Sequence, residues 1–216
     1  FDALRLSGAI AVQKHDYSRA LDYLQRALTI RPDDPEPYSN RGVALRELKR
    51  LDDALASYDR AIALKPDLAD AHYNRGVVLQ ELKCLEDALA SYDRAIALKP
   101  DYADAYNSRG NVLRQLNRVE DALSSYERAI ALKPDHAEAH SNRGNLLRES
   151  ERLDDALASY DRAIALKPDI AEFYNNRGVV LLGLKCLDDA LASYERAIAL
   201  KPDYAEAHNN RGIVLY

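Results

Sequence analysis

Residues 51–66 read LDDALASYDRAIALKP, and close copies of this stretch occupy 85–100, 119–134, 153–168 and 187–202. Successive copies begin 34 residues apart, and each of them closes on a proline. A fixed period of this size is typical of a repeat array, in which each unit packs on its neighbours. The 216-residue chain is therefore predicted to be a single array, with units at 1–34, 35–68, 69–102, 103–136, 137–170 and 171–204 and a partial unit at 205–216.

Each unit is predicted to form two amphipathic helices, which we call helix A and helix B. In the second unit Tyr38 and Gly42 lie on one stripe of helix A. In the quoted stretch Leu51, Leu55 and Tyr58 lie on one stripe of helix B. Residues three and four apart share one face of a helix, whereas strands need a period of two. The spacing therefore predicts an all-α chain without strands.

The ends of the helices are marked by proline and aspartate. Pro66 has no N–H donor and disfavours helical geometry at the residue before it, so it ends helix B. We expect Asp67 to cap the next helix A, with Asp70 three residues on as an acidic variant of the capping box. The same pairing of acids follows the later prolines.

A glycine stands at the eighth place of every unit, inside helix A. Glycine within a helix costs about 1 kcal/mol relative to alanine. Its recurrence indicates a backbone contact that a Cβ atom would obstruct, with Ala54 and Ala61 of helix B opposite it and Tyr58 between them. The glycines are Gly8, Gly42, Gly76, Gly110, Gly144, Gly178 and Gly212.

These features resemble the tetratricopeptide repeat (TPR), whose pattern of a large residue, Leu-Gly, a large residue, Ala, an aromatic, Ala and Pro spans 34 residues. In the third unit the matching residues are His72, Arg75, Gly76, Leu79, Ala88, Tyr92, Ala95 and Pro100. The resemblance covers the whole chain and implies an all-α, right-handed TPR superhelix, an α-solenoid. It also implies that the A helices line a concave face that binds an extended peptide or a partner helix.

The chain departs from the family pattern at two places. Tyr or His stands where Trp is usual, and Arg replaces the Leu before the glycine from the second unit onward. Helix periodicity places this Arg towards the preceding unit, whose helix B carries an acid. We therefore predict ion pairs across the unit boundaries, with snorkelling of each Arg to water as the alternative. The pairs are Asp59–Arg75, Asp93–Arg109, Glu127–Arg143, Asp161–Arg177 and Glu195–Arg211.

A polar stripe of helix A, which packing does not require, is rich in asparagine. Asn is a mediocre residue inside a helix, but its amide offers both a donor and an acceptor. The stripe resembles the Asn ladder on the inner TPR surface of nucleocytoplasmic O-GlcNAc transferases, which implies hydrogen bonds to a peptide backbone. The alternative is a solvated polar face copied by repeat duplication. The predicted peptide-binding residues are Asn40, Asn74, Asn107, Asn111, Asn142, Asn145, Asn176 and Asn210, with Arg46, Arg114 and Arg148 favouring acidic stretches.

Composition argues against several classes of partner. The formal net charge of −5 disfavours nucleic acid and anionic lipid, which attract clustered Lys and Arg. No apolar run approaches the roughly 18 residues of a membrane-spanning helix. Cys84 and Cys186 occupy the same place in units three and six, too far apart for a bridge in a stacked array. Free thiols suit a reducing compartment, so we expect a cytoplasmic location.

Catalytic and metal-binding patterns are absent from the sequence. His136 and His140 are four residues apart, but no third ligand converges with them. There is no Gly-rich phosphate loop and no nucleophile with a paired base. We expect no cofactor, no metal and no enzymatic activity within this chain.

Three functions remain open from the sequence. The first is a protein-interaction scaffold that binds an extended peptide or partner segment on its Asn-rich concave face. The second is the substrate-recognition arm of a larger, glycosyltransferase-type enzyme, and the third is a self-assembling structural array. We expect the chain to be a fragment, because it lacks an initiator Met and stops inside a repeat. The incomplete last unit leaves His208, Gly212 and Leu215 uncovered, which predicts end-to-end homo-association.

Overall fold

The computed structural model describes residues 1–215, which form α-helices joined by short turns and contain no strand. The all-α fold class is confirmed, because the helices alternate as A and B and pack as helix-turn-helix units. The chain divides into two compact units, Phe1–Leu116 and Asn117–Tyr216.

In the first compact unit every odd-numbered helix is a helix A and every even-numbered helix is a helix B. Each helix B packs against the helix A before it and the helix A after it. The helices are α1 (Asp2–Gln13), α2 (Tyr17–Ile30), α3 (Pro35–Glu47), α4 (Leu51–Leu64), α5 (Ala69–Glu81), α6 (Leu85–Leu98) and α7 (Ala103–Gln115).

The second compact unit begins with a helix B and ends with a helix A. The same packing between two A helices recurs here for α10 and α12, whereas α8 packs against α9. The helices are α8 (Val119–Leu132), α9 (Ala137–Glu149), α10 (Leu153–Leu166), α11 (Ala171–Gly183), α12 (Leu187–Leu200) and α13 (Ala205–Leu215).

The A helices form the inner side of each compact unit. Successive A helices touch, as α3 touches α5 and α9 touches α11. Successive B helices do not touch in either unit within residues 1–215. Because the A helices lie closer together, side chains that project from them away from the B helices share one surface, which we call the inner face.

The glycine at the eighth place lies against the tyrosine of its own helix B. A Cβ atom on Gly42 would be 2.6 Å from the Tyr58 ring, and one on Gly76 would be 2.7 Å from the Tyr92 ring. These tyrosines are fully buried, with 0% exposure. The predicted obstruction of a Cβ is confirmed at these positions, but the predicted backbone contact is wrong, because the obstructing group is the aromatic ring.

In the turns between helix A and helix B, a residue other than glycine adopts the left-handed backbone conformation. Lys49, for example, has a φ of 59°. Its N–H donates to the Arg46 carbonyl, and the Arg50 N–H donates to the Leu45 carbonyl. This is the Schellman pattern, which satisfies carbonyls at the end of the helix.

The predicted aspartate caps of the later A helices are wrong. The N-cap of α5 is Leu68 rather than Asp67, and it makes no side-chain cap hydrogen bond. The N-caps of α7 and α11 are likewise Tyr102 and Ile170, neither of them an acid. Ile170 packs beside buried Ala163 and Phe173, so this place is occupied by a side chain that joins the core. An aspartate there would lose that packing.

The large residue at the fourth place of helix A ties each unit to the one before it. Tyr38 Oη donates to the Pro32 carbonyl at 3.3 Å, and Tyr174 Oη to the Pro168 carbonyl at 3.2 Å. Where this residue is His, Nε2 takes the same role, as in His140 to the Pro134 carbonyl at 3.1 Å. A proline carbonyl at the end of helix B is thereby satisfied, which explains the polar tip on this ring.

Three of the five predicted boundary ion pairs form. Arg Nε lies 2.7 Å from the acid in Asp59–Arg75 and 2.6 Å in both Asp93–Arg109 and Asp161–Arg177. At the two boundaries that carry Glu, Glu127–Arg143 and Glu195–Arg211, no ion pair within 4.0 Å occurs among the described residues. Every predicted pair that forms contains Asp, whose shorter side chain fits the same spacing between helices.

Candidate peptide-binding face

The predicted peptide-binding residues all lie on A helices, and most of them are half-buried. In the first compact unit they are Asn40, Arg46, Asn74, Asn107, Asn111 and Arg114, and in the second Asn142, Asn145, Arg148, Asn176 and Asn210. Asn176 differs from the others because it is only 8% exposed. Each set belongs to its own compact unit.

The first compact unit has two open amides on its A helices. Asn40 and Asn74 are half-buried, and in the part of the chain that the structure describes neither makes a side-chain hydrogen bond. Both amides therefore keep a donor and an acceptor for another molecule. Asn107, Asn111 and Arg114 are also half-buried, but each already interacts with a neighbouring group.

Charged side chains at the ends of α3 and α5 are partly neutralised by ion pairs. Arg46 Nη2 lies 2.5 Å from Glu47 Oε1, and Lys49 Nζ lies 3.0 Å from Glu81 Oε2. The side chain of Arg46 is 22% exposed. Desolvation lowers the pKa of Arg46, but the hydrogen bond to Glu47 and the charges of Glu47 and Glu81 outweigh it and raise the pKa. Arg46 is therefore a charged side chain paired with Glu47, and a ligand could bind it only by replacing Glu47.

In the second compact unit, asparagines hydrogen-bond to one another. Asn145 Oδ1 accepts from Tyr160 Oη at 2.7 Å and from Asn176 Nδ2 at 3.3 Å. Asn175 Oδ1 accepts from Asn210 Nδ2 at 3.1 Å, and Asn175 Nδ2 donates to Glu206 Oε1 at 3.2 Å. These contacts join α9, α11 and α13.

This network corrects one expectation from the sequence. The asparagine stripe was expected to be left over after packing, but Asn175 has 0% exposure and Asn176 has 8%. Both lie where neighbouring A helices meet, because the A helices are the closely spaced ones. The role of Asn175 and Glu206 in joining helices was missed from the sequence; the adjacent pair Asn175-Asn176 was the available signal.

Some inner-face amides hold the buried tyrosines of helix B. Tyr160 Oη donates to Asn145, and Tyr92 Oη donates to Gln80 Oε1 at 3.0 Å. Tyr58 and Tyr194 have no such amide, and their buried hydroxyls lack a hydrogen-bond partner within residues 1–215. Burial, followed by the charge of Glu206, raises the pKa of Tyr194 to about 12. An asparagine of helix A thus either accepts a hydrogen bond from a buried tyrosine or keeps its amide open to solvent, depending on its position.

The other predicted peptide-binding residues of the second compact unit are one arginine and two asparagines, all half-buried. Arg148 is half-buried, and no salt bridge to it occurs in the described chain. Asn142 is half-buried and already interacts with a neighbouring group. Asn210 uses its Nδ2 for Asn175, which leaves its Oδ1 unoccupied within residues 1–215.

Neither a metal cluster nor a membrane span occurs in the described part of the chain. No group of three His, Cys, Asp or Glu side chains within residues 1–215 could hold a metal ion. None of the thirteen helices in this range is long and apolar enough to cross a bilayer.

Comparison with known proteins identifies the family. The family model described as Tetratricopeptide repeat matches residues 73–137, 107–171, 141–205 and 181–216. Related models described as TPR repeat and Tetratricopeptide repeat match residues 42–83 and 3–38. The chain belongs to the tetratricopeptide-repeat family, whose repeats typically form non-catalytic scaffolds for protein interactions. No functionally curated protein matches the chain in a sequence comparison.

Solved structures of TPR proteins share this fold. YrrB, described as a TPR protein with an unusual peptide-binding site, is 27% identical with a TM-score of 0.70 and aligns over 88% of this chain and 97% of its own. A thermophilic TPR protein from Thermus thermophilus is 26% identical with a TM-score of 0.66 over 84% and 98%. PilF from Pseudomonas aeruginosa is 20% identical with a TM-score of 0.87 over 98% and 96%, which shows the fold alone.

Proposed function

We propose that this chain is a protein-interaction module that holds an extended peptide segment against its inner face. The observation that carries the proposal is the pair of open amides, Asn40 and Asn74, on successive A helices of one compact unit. The similarity to YrrB, a TPR protein with a peptide-binding site, supports the same function.

The chemistry of the site favours recognition of main chain. A carboxamide can donate to a peptide carbonyl and accept from a peptide N–H at the same time. Each such hydrogen bond contributes about 0.5–1.5 kcal/mol net, so several amides are needed for useful affinity. Arg148, without a salt bridge, favours an acidic side chain in the ligand, and Arg46 and Arg114 add to this preference more weakly because each already has an interacting neighbour.

A peptide library screened against the chain tests this function. The selected peptide is then measured by calorimetry against the double variant Asn40→Ala, Asn74→Ala. We expect a loss of affinity of about tenfold or more for two removed amides. The matched control is Gln25→Ala, which removes an exposed amide from helix B of the first compact unit and should leave binding unchanged. Equal binding by the double variant contradicts the proposal.

The substrate-recognition arm of a glycosyltransferase-type enzyme uses the same face and the same amides. The models that match this chain are all repeat models, which supports a role in recognition for the matched residues. A catalytic region encoded in the same reading frame would favour this alternative.

End-to-end self-association is a second candidate with its own observation. Leu6 and Ile10 of α1 are 51% and 49% exposed, and Ile213 and Leu215 of α13 are 57% and 58% exposed. These apolar side chains lie on the first and the last helix A of the described chain. Multi-angle light scattering over a range of concentrations tests the candidate, and Leu6→Lys should abolish any dimer that forms through α1. A monomer at all concentrations rejects it.

We infer a reducing, cytoplasmic setting from the thiols. Cys84 and Cys186 are both free and exposed. Exposed thiols are readily oxidised, so they persist best where glutathione and thioredoxin keep them reduced. Fractionation of cells that express the protein, followed by thiol titration, tests this location.

A further inference from the structure

A cavity of about 320 Å³ opens in the first compact unit between the B helices α4 and α6. These two helices do not touch each other, so side chains of α5 reach the gap between them. Two arginines and one aspartate supply the charge of the cavity. Its lining includes Asp59 and Ile62 of α4, His72 and Arg75 of α5, and Ser91 and Arg94 of α6.

One of the two arginines is already engaged. Arg75 Nε donates to Asp59 Oδ1 at 2.7 Å, and Arg75 Nη1 donates to Ser91 Oγ at 2.7 Å. Ser91 is 3% exposed, and its hydroxyl donates in turn to the Asp87 carbonyl at 2.8 Å. These bonds fix the Arg75 guanidinium in the wall of the cavity and leave its charge balanced by Asp59.

The second arginine, Arg94, is unpaired within residues 1–215. It is exposed and makes no hydrogen bond or ion pair there. Burial lowers the pKa of His72, and the charges of Arg94 and Arg75 lower it further, against a rise from the hydrogen bond to the Pro66 carbonyl. Both guanidinium groups therefore lie near the His72 ring. With that ring neutral, the cavity has a surplus of one positive charge.

Where a tyrosine stands at the fourth place of helix A, an arginine of the following helix B lies over its ring. Arg196 Cζ is 5.9 Å from the centre of the Tyr174 ring, and Arg60 Cζ is 6.0 Å from that of Tyr38. An aromatic face attracts a guanidinium at such distances. His72 replaces this ring in the third unit, so the arginine of its helix B keeps its charge for another group.

The ion pair in the wall of the cavity does not depend on this ring. Beside Tyr174, Arg177 Nε donates to Asp161 at 2.6 Å and Arg177 Nη1 donates to Ser193 Oγ at 2.7 Å. The corresponding bonds beside His72 have the same lengths within 0.1 Å. The exchange of Tyr for His therefore releases one arginine and leaves the rest of the arrangement intact.

We propose that this cavity binds a carboxylate group, held by Arg94 and by Nη2 of Arg75. A carboxylate accepts two parallel hydrogen bonds from a guanidinium, and its single negative charge equals the surplus positive charge of the cavity. A phosphate dianion would exceed that charge and lie against Asp59. Ile62 offers an apolar surface to the hydrocarbon stem of a glutamate side chain or of a small organic acid. The site is separate from the amides of the proposed peptide-binding face.

The test uses glutamate capped at both ends as the probe, so that its side chain carries the only charge. It is titrated into the whole ¹⁵N-labelled chain at constant ionic strength, with capped glutamine as the neutral control. We expect saturable chemical-shift changes at Asp59, His72, Arg75 and Arg94 with capped glutamate and none with capped glutamine. Absence of these shifts, or an equal response to capped glutamine, would overturn the proposal.

Two further ligands identify the source of the carboxylate. Glutarate is a free organic acid with the same hydrocarbon stem. Tighter binding of capped glutamate assigns the site to an acidic side chain of a protein partner, and equal or tighter binding of glutarate assigns it to a small organic acid. Inorganic phosphate is the competing anion, and tighter binding of phosphate than of either carboxylate would contradict the proposed chemistry.

Two variants remove the site while the chain stays folded. Arg94→Gln should weaken binding of the probe by about fivefold, the upper range for an exposed ion pair. His72→Tyr should weaken it by a similar factor, because Arg94 then lies over the phenol ring as Arg196 lies over Tyr174. Tyrosine already holds this place in two other units, so the amide spectrum should show an intact fold.

The matched control is Arg60→Gln, which removes the same charge at the same place of α4, where the arginine lies over Tyr38. It should bind the probe as the original chain does. The double variant Asn40→Ala, Asn74→Ala should also bind it normally, which separates this site from the peptide-binding amides. Unchanged affinity in either Arg94→Gln or His72→Tyr would show that the probe binds elsewhere and would overturn the proposal.

Discussion

At the residue scale, the contact between Gly76 and the Tyr92 ring determines how a substitution of this glycine changes stability. Gly76→Ala places a Cβ atom 2.7 Å from the ring, although alanine is the better helix former. Overpacking costs about 1–3 kcal/mol, whereas the gain in helix propensity is about 1 kcal/mol, so the free energy of unfolding should fall. Urea denaturation followed by circular dichroism measures the change.

The same substitution at Gly212 is the internal control. Nothing lies within 4 Å of its Cβ position, so Gly212→Ala should gain up to about 1 kcal/mol from helix propensity alone. Opposite signs for the two substitutions are expected. If both stabilise the chain, the tyrosine ring moves freely and the close contact is unimportant.

His140 makes the stability of the second compact unit depend on pH. Burial, followed by the charges of Arg143, Arg162 and His136, lowers the pKa of His140 below its ordinary value, against a rise from its hydrogen bond to Pro134. The unfolded chain therefore binds its proton first as the pH falls below about 6.5, and stability declines from there down to the lowered pKa. Above that pH both states are neutral and His140 contributes no dependence.

His140→Tyr should reduce this acid sensitivity. Tyr174 holds the same place in α11 and donates to a proline carbonyl, and its side chain has no imidazole to protonate. We expect a smaller decrease in melting temperature between about pH 7 and about pH 5 for the variant, because one protonation is removed. An unchanged slope would mean that other groups dominate the acid response.

At the element scale, the helix boundaries were largely predictable and the caps were not. Proline and the 34-residue period locate each helix pair, because both act within a few neighbouring residues. The cap predicted for α5 was wrong because the N-cap residue is Leu68, whose side chain packs between helices. Capping preferences depend on the nearest residues along the chain and do not include such packing. The Asn175–Glu206 bond was missed for the same reason, since it depends on how closely α11 and α13 approach.

The boundary between α8 and α9 offers a direct test of side-chain length. Glu127 does not pair with Arg143, whose Nε donates instead to Ser159 Oγ at 3.1 Å. Glu127→Asp should create the pair seen at Asp161–Arg177 and stabilise the chain by about 0.2–1 kcal/mol, because such pairs are partly exposed. The gain should shrink in high salt.

The control for this change is Glu120→Asp, an exposed acid in the first turn of α8 away from the boundary. It should leave the melting temperature unchanged. The two substitutions alter the same chemical group, so an equal effect from both would rule out a specific pair with Arg143.

At the scale of the whole molecule, the repeated helices do not give every asparagine the same task. A repeat array is stabilised by interactions within units and between neighbours, without one central core. Repetition copies the residue, but the surroundings of each copy decide its role. Asn74 is open, Asn145 holds a tyrosine, and Asn175 joins two A helices. The sequence predicted the stripe, whereas this division depends on distances between helices.

Asn74→Ala should therefore weaken peptide binding without changing stability, whereas Asn175→Ala should lower stability. Asn175→Ala removes hydrogen bonds to Glu206 and Asn210, each of which contributes about 0.5–1.5 kcal/mol net. Hydrogen exchange should accelerate in α13, while the first compact unit stays protected. Asn74→Ala removes no internal hydrogen bond, so it should keep its melting temperature and lose affinity for the selected peptide. If Asn74→Ala instead unfolds the chain, or Asn175→Ala changes only peptide affinity, the assignment of open amides to recognition and buried amides to structure is wrong.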